Sequence, residues 1–310
     1  MTRVAAIDCG TNSLRLLIAD VVAGSTPELV DVDRRMEIVR LGEGVDRTGQ
    51  FAPAALHRTF GVLDDYAATI ARTGAQRVRM VATSATRDAG NQQDFIDGVV
   101  ERLGIEPDVV TGAEEAALSF DGATHELPGA AAAAPYLVVD IGGGSTEFIV
   151  GDQDGVTAAR SVDVGCVRLT ERHFRDDPPT AEQVAAAVAD VEAALDAVAE
   201  TVPIDRAKTL IGLAGTVTTV TAIVLDLPEY DAARIHHATV AAGDVHRVTE
   251  QLLAATHAER AAMPVMHPGR VDVIAGGAVV LDAVIRRSGA AAMLASEHDI
   301  LDGIAWSLAG

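Results

Sequence analysis

Each half of the chain opens on a short, unbroken apolar run, Val4-Ala5-Ala6-Ile7 and Tyr136-Leu137-Val138-Val139. Runs of this length without alternation predict buried strands. Each is followed by Asp, a glycine-bearing turn and a second apolar run, Leu14 to Ile18 and Phe148 to Val150, which predicts two β-hairpins. Glu28 to Leu41 is strand-like. Pro53 to Arg72 reads as a helix with proline at its start. A strand at Arg77 to Thr83 and helices at Gln92 to Leu103 and Ala113 to Gly122 follow. Beyond a Pro/Gly/Ala-rich stretch, His125 to Pro135, the pattern resumes with a long helix, Thr180 to Thr201, and a strand, Thr209 to Leu213. Strand and helix alternate in both halves, which predicts the α/β class.

The two hairpins are copies of one another. Residues 8–20 read D-C-G-T-N-S-L-R-L-L-I-A-D and residues 140–152 read D-I-G-G-G-S-T-E-F-I-V-G-D. Both fit D-x-G-x-x-S, two further residues, three apolar residues, a small residue and Asp. One such motif is weak; two copies, each behind a buried-strand pattern, are far more specific. Gly10 and Gly142 to Gly144 supply turn conformations and leave room for a ligand. Such a turn can wrap a phosphate with backbone N–H groups. The Asp ending each first strand is placed to meet a metal ion, through water in the case of Mg²⁺. Two hairpins facing each other across a cleft would clamp one anionic chain.

Composition narrows the picture. At 310 residues, two domains are expected. Apolar residues make up 49%, enough for a core in each half, and no apolar run reaches the ~18 residues of a membrane helix. The N-terminus lacks a signal-peptide pattern, so a cytoplasmic protein without membrane contact is expected. Cys9 and Cys166 lie in no metal-binding spacing and read as reduced, packed thiols. The net charge of −21 argues against nucleic acid as a partner. It does not exclude an anionic substrate, because remote carboxylates are screened beyond about 8 Å at physiological salt. His236 and His237 read as solvated loop residues.

With these residues in place, the whole chain resembles the exopolyphosphatase/guanosine pentaphosphate phosphohydrolase (Ppx/GppA) family. The resemblance rests on Asp8-Cys9-Gly10-Thr11-Asn12-Ser13 with Arg15, on Ala82-Thr83-Ser84-Ala85-Thr86-Arg87, and on Thr111-Gly112-Ala113-Glu114-Glu115-Ala116. It continues in Asp140-Ile141-Gly142-Gly143-Gly144-Ser145-Thr146-Glu147, in Gly212 to Thr219, and near Arg270 and Gly276-Gly277-Ala278. It breaks where the family's G-L-R-E-G reads Asp299-Ile300-Leu301-Asp302-Gly303. Only 11 residues follow Asp299, so the His298-Asp299 pair marks a helix start and the chain resembles the short form lacking a C-terminal HD-type domain.

The resemblance implies two actin-like ATPase (ribonuclease H-like) domains facing a central cleft. Domain I would span 1–124, completed by a C-terminal helix at 299–310; domain II would span 135–298, with 125–134 as linker. It implies Mg²⁺-dependent hydrolysis (Mn²⁺ as the substitute) of the terminal phosphate of inorganic polyphosphate. Glu115 would be the catalytic base and Glu114 structural. Asn12, Ser13, Arg15, Arg87, Gly142, Gly143, Gly144, Ser145, Gly215 and Thr216 would bind phosphate, and Asp8, Asp140 and Glu147 would face the metal. A homodimer is one assembly this reading allows. Three rivals stand beside it: hydrolysis of guanosine pentaphosphate, a small-molecule kinase on the same fold, and a nucleotide-gated protein of the actin/Hsp70 type. Only 3% of residues are aromatic, so a nucleotide base would find few stacking partners.

Overall fold

The computed structural model describes residues 1–22, 24, 27–127 and 132–309; part of the expected linker, 128–131, lies outside the described residues. The chain divides into two compact units, Met1–Gly122 with Ile300–Gly310, and Ala123–Asp299.

The first unit carries five strands: β1 (Thr2–Cys9), β2 (Ser13–Val22), β3 (Glu28–Ile38), β4 (Arg77–Ala82) and β5 (Asp108–Val109), in the order β3-β2-β1-β4-β5. β1, β2 and β3 form an antiparallel meander, and β4 and β5 add in parallel on the other side of β1. The reason β1 is apolar without alternation is now visible. Ala5, Ile7 and Cys9 face one core, shared with Leu63, Tyr66 and Phe95 of the helices Pro53–Thr73 and Gln92–Leu103. Val4 and Ala6 face a second core, closed by Ile300, Leu301 and Ile304 of the last helix, Ile300–Ser307. A strand buried on both faces has no polar side to show.

The second unit repeats the plan with one strand more: β6 (Tyr136–Ile141), β7 (Thr146–Asp152), β8 (Gly155–Val162), β9 (Thr209–Leu213), β10 (Thr239–Ala241) and β11 (Ala292–Ala295), in the order β10-β11-β9-β6-β7-β8. β6, β7 and β8 again form the meander, and β9 and β11 continue in parallel, while β10 caps the edge antiparallel. The helix Ala181–Ala199 begins where the side chain of Thr180 accepts from the Gln183 N–H. In both units the order runs third, second, first and fourth strand, followed in parallel by the fifth, β5, in the first unit and by the sixth, β11, in the second, which is the ribonuclease H-like arrangement of actin-like ATPase domains.

The altered C-terminal motif has a structural role. Asp302 is buried and ion-paired with Arg34 of β3, which ties the last helix to the edge of the sheet. A side chain at Gly303 would collide with the Leu118 carbonyl. The helix itself begins at Ile300, just after the expected His298-Asp299 start. One expectation fails: His236 and His237 are not solvated loop residues. Both are half-buried, and the ring centroid of His236 lies 3.7 Å from that of His237 and 4.4 Å from that of His298, the planes tilted by 31° and 39°.

Candidate active site

Every candidate residue lies in or just beyond the carboxyl ends of the parallel strands, or on the hairpins they open. This is the edge at which open α/β sheets bind ligands. In the first unit, Asp8 lies next to the end of β1, the segment Thr83 to Arg87 follows β4, and Thr111 to Glu115 follows β5. Hydrogen bonds from Thr83 N to Cys9 O (3.2 Å) and from Val110 N to Ala82 O (3.1 Å) hold these ends side by side. The Thr11 and Ser84 hydroxyls are bonded at 3.0 Å. In the second unit, Asp140 lies near the end of β6, Gly215 and Thr216 follow β9, and Ser296 N reaches Gly212 O at 2.9 Å after β11.

The two loops match in atomic detail. Gly10 N donates to Ser13 O at 3.0 Å and Gly142 N to Ser145 O at 3.0 Å, closing each turn in the same way. The strand ends are in the same register: Asp8 stands opposite Arg15, and Asp140 opposite Glu147. The sequence repeat extends further than D-x-G-x-x-S. The third strand of each meander leads into Val39-Arg40-Leu41-Gly42 or Val162-Asp163-Val164-Gly165, and the loop is gripped from within the first segment and from the three residues that follow the second. Val39 N and Arg40 N donate to Asn12 O (3.0 and 2.9 Å), and Gly42 N donates to Thr11 O (2.8 Å). Cys166 N donates to Gly142 O (2.9 Å), while Val167 N and Arg168 N donate to Gly143 O (2.9 and 3.1 Å). In a trans peptide the C=O and the next N–H point in opposite directions. Fixing these carbonyls therefore turns the N–H groups of Asn12, Ser13, Gly143 and Gly144 away from the grip. Successive N–H groups turned the same way at a turn are the kind of donor set an anion can meet. Both gripping segments were missed in the sequence, although the shared Val-x-(Leu/Val)-Gly pattern is a signal that finds them.

The charged candidates fall into pairs. Arg15 donates from Nε to Asp8 Oδ2 at 2.9 Å and makes a 2.7 Å ion pair with the same oxygen through its terminal nitrogen. In the second loop the same two positions hold two carboxylates, Asp140 and Glu147, both buried. Directly opposed residues of an antiparallel pair share one face at about 5 Å, so the second hairpin carries two acidic side chains together where the first carries an acid and a base. Glu147 accepts from the Ser161 hydroxyl at 2.7 Å. Arg87 donates to Glu115 Oε2 at 2.7 Å and to Val110 O at 2.9 Å. Glu115 is buried, in the first turn of the helix Gly112–Thr124. Its neighbour Glu114 is exposed and accepts from the Thr111 backbone N–H (2.9 Å) and hydroxyl (2.9 Å). With Thr111 Oγ1 accepting from Glu114 N (3.3 Å), this is a capping box. The Thr111 N–H bond, then the hydroxyl bond, holds the Glu114 carboxyl below its ordinary range.

Gly215 opens the helix Ala214–Val224 beneath the guanidinium of Arg270; a Cβ there would come within 2.6 Å of Cζ. Arg270 also donates to the Thr219 hydroxyl at 3.0 Å. Thr216 is buried. Burial pushes the Cys166 thiol up to about 11 and that of Cys9 well above its ordinary value, so both stay protonated. Among the described residues no group of three or more His, Cys, Asp or Glu side chains is close enough to hold a metal by itself.

A duplicated ribonuclease H-like sheet, each copy closing a phosphate-type loop at the end of its first strand, defines a protein of the actin-like ATPase superfold. The chain belongs to the Ppx/GppA phosphatase family, which it matches over residues 17–309. It is 52% identical to a Mycobacterium tuberculosis protein named exopolyphosphatase 2, covering 100% of this chain and 99% of that one. It is 35% identical, over 71% of its length and 43% of the relative's, to a Photobacterium profundum protein named guanosine-5'-triphosphate,3'-diphosphate pyrophosphatase. A crystal structure of an exopolyphosphatase-like protein superposes with a TM-score of 0.95 at 42% identity, covering 99% of each chain.

Proposed function

We propose that this protein releases terminal orthophosphate from inorganic polyphosphate by attack of water on the end phosphorus. The observation that carries the reading is the full-length 52% identity to a protein named exopolyphosphatase 2, joined to two loops that turn their N–H groups outward for anions. Phosphoryl transfer asks mainly for positioning and charge neutralisation. In this reading the N–H groups of Asn12, Ser13 and Gly143 to Ser145 hold phosphate oxygens, and Gly215 and Thr216 supply a helix N-terminus. Glu115 accepts the proton of the attacking water. Arg87 holds Glu115 in place, and exchanges part of that contact for a phosphate oxygen when substrate is bound.

A divalent cation fits the donor set. Mg²⁺ is held by one or two carboxylates plus water and substrate phosphates, not by an all-protein cage, which agrees with the absence of a three-ligand cluster among the described residues. Asp140 and Glu147, buried and directly opposed, supply the two carboxylates such a site asks for. Asp8 is held by Arg15 and serves the first loop as that pair. When bound, Mg²⁺ or Mn²⁺ neutralises charge on the phosphoryl oxygens. The proposed setting is the cytoplasm, where free thiols such as Cys9 and Cys166 persist.

Guanosine pentaphosphate is the second candidate substrate, favoured by the relative from Photobacterium profundum. A phosphate-release panel of polyphosphate, guanosine pentaphosphate and ATP tests the reading. Polyphosphate should give the highest kcat/KM. A clear preference for ATP would overturn polyphosphate as the substrate, and a preference for guanosine pentaphosphate would transfer the assignment to the second candidate.

A further inference from the structure

The grip on the two loops is shifted by one residue. In the first loop the Asn12 carbonyl is fixed by two backbone amides, Val39 N and Arg40 N. The corresponding carbonyl of the second loop is Gly144 O. The backbone of the gripping segment spends its amides one step earlier, on Gly142 O and Gly143 O. Gly144 O is taken instead by a side chain: Arg168 Nε donates to it at 2.7 Å. Arg168 lies half-buried in the first turn of the helix Cys166–His173.

This loop is the one that most needs restraint. It runs through three consecutive glycines, 142–144, where the first loop has Gly10, Thr11 and Asn12. Glycine has the widest backbone freedom and loses the most on ordering. The peptide from Gly144 to Ser145 has a glycine on its N-terminal side, which leaves its orientation poorly fixed by local sterics. Holding its carbonyl toward Arg168 turns the Ser145 N–H the opposite way, into the same set as the Gly143 and Gly144 N–H groups.

We propose that Arg168 is a positioning residue for phosphate binding: its Nε–H locks the Gly144–Ser145 peptide so that Ser145 N–H is presented to a substrate phosphate before the substrate arrives. The inference rests on the reading that the loop amides hold phosphate. It assigns Arg168 no contact with the phosphate itself, in contrast to what an arginine beside a phosphate loop would ordinarily suggest. A side chain that pre-orders a binding loop acts through affinity, because it removes an ordering cost otherwise charged to binding.

The test compares wild type, Arg168→Met and Arg168→Lys in two measurements on the full chain. Hydrogen exchange of the 142–145 amides is followed in the ligand-free protein. Tripolyphosphate binding is titrated, with KM and kcat measured on the same substrate. Arg168→Met should exchange faster in the loop and weaken binding and raise KM about tenfold, the equivalent of about 1.4 kcal/mol, with kcat changed less than about threefold. Arg168→Lys keeps a donor and should recover part of both effects. Weakened binding with unchanged loop exchange would mean that the guanidinium meets the phosphate directly and would overturn the proposal. Equal loop exchange and equal affinity in Arg168→Met, with only a lower melting temperature, would overturn it as well. If wild type neither binds nor hydrolyses tripolyphosphate, the functional reading fails, and the exchange comparison alone still decides whether Arg168 orders the loop.

Discussion

Gly165 offers a sharp perturbation of the second loop. Its backbone is extended, with φ −151°, so alanine is conformationally acceptable there and any effect must come from space. A Cβ built on Gly165 would lie 2.5 Å from Gly143 O, 2.6 Å from Gly143 C and 2.8 Å from Gly142 O. These are backbone atoms, which cannot swing aside as a side-chain tip can. Ordinary carbon–oxygen contact needs more than 3 Å, so the loop must retreat by roughly 0.5–1 Å. Displacement on that scale costs about 10²-fold in rate when it moves groups that position a reacting substrate. Overpacking costs about 1–3 kcal/mol of stability. Gly165→Ala should therefore stay folded and lose about 10²-fold in kcat/KM for polyphosphate. Gly42→Ala, at the matching position of the first loop, meets the Thr11 methyl first and Ala85 next; Thr11 is buried and bonded to Ser84, so it cannot swing clear and this variant should lose activity as well. Gly243→Ala meets nothing within 4 Å and should leave activity unchanged, with a gain of about 0.5–1 kcal/mol from helix propensity. The assay pairs phosphate release with urea unfolding of each variant. Wild-type kcat/KM in folded Gly165→Ala would refute the argument that the loop is held flat against this glycine.

Other substitutions test separate parts of the account. Glu115→Gln should lower kcat by about 10²–10⁴ while leaving polyphosphate affinity intact, whereas Glu114→Gln, which sits in the capping box, should cost only a few tenths to about 1 kcal/mol of stability; equal kinetic losses at both positions would place the base elsewhere. Excess chelator should abolish turnover, with Mg²⁺ or Mn²⁺ restoring it, and Asp140→Asn should raise the concentration of metal needed for half-maximal rate; undiminished turnover in chelator would remove the metal from the reaction. Burial, and then the charge of His298, lower the affinity of His237 for a proton. The unfolded chain therefore takes up a proton near the ordinary pKa of about 6.5 that the folded chain refuses. Stability from this residue is complete above that pH and falls as pH drops from about 7 toward 5. His237→Asn, which tolerates the positive φ of 61° there, should flatten that slope in urea melts; a slope identical to wild type would show that these histidines do not drive it.

Most of the framework was legible in the sequence because two physical signals were strong. Strands buried on both faces leave unbroken apolar runs, as at Val4 to Ile7, and the duplicated D-x-G-x-x-S motif fixed where the hairpins turn. The helix at Gln92–Leu103 and strand at Thr209–Leu213 fell where periodicity put them. β5, β8, β10 and β11 were missed: β8 is a half-exposed edge strand whose Thr-Ala-Ala-Arg-Ser centre carries no clean alternation, and β5, β10 and β11 have two, three and four residues. The candidate site was legible as a set of residues but not as pairs. Nothing in the spacing of Arg87 and Glu115 announces that they meet at 2.7 Å, or that Arg15 turns back onto Asp8. Those partnerships depend on strand register and on how the ends of β1, β4 and β5 lie side by side. The histidines failed for the same reason, since His298 lies far along the chain from His236 and His237.

The most direct test of the central claim follows the reacting oxygen. Polyphosphate of a single defined length is incubated with the protein and divalent metal in ¹⁸O-labelled water, with Glu115→Gln run in parallel. Attack of water on the terminal phosphorus predicts orthophosphate carrying one ¹⁸O atom, a polymer shortened by one unit and free of label, and almost no release by the variant. Internal cleavage products, unlabelled orthophosphate, or equal release by Glu115→Gln would contradict the account.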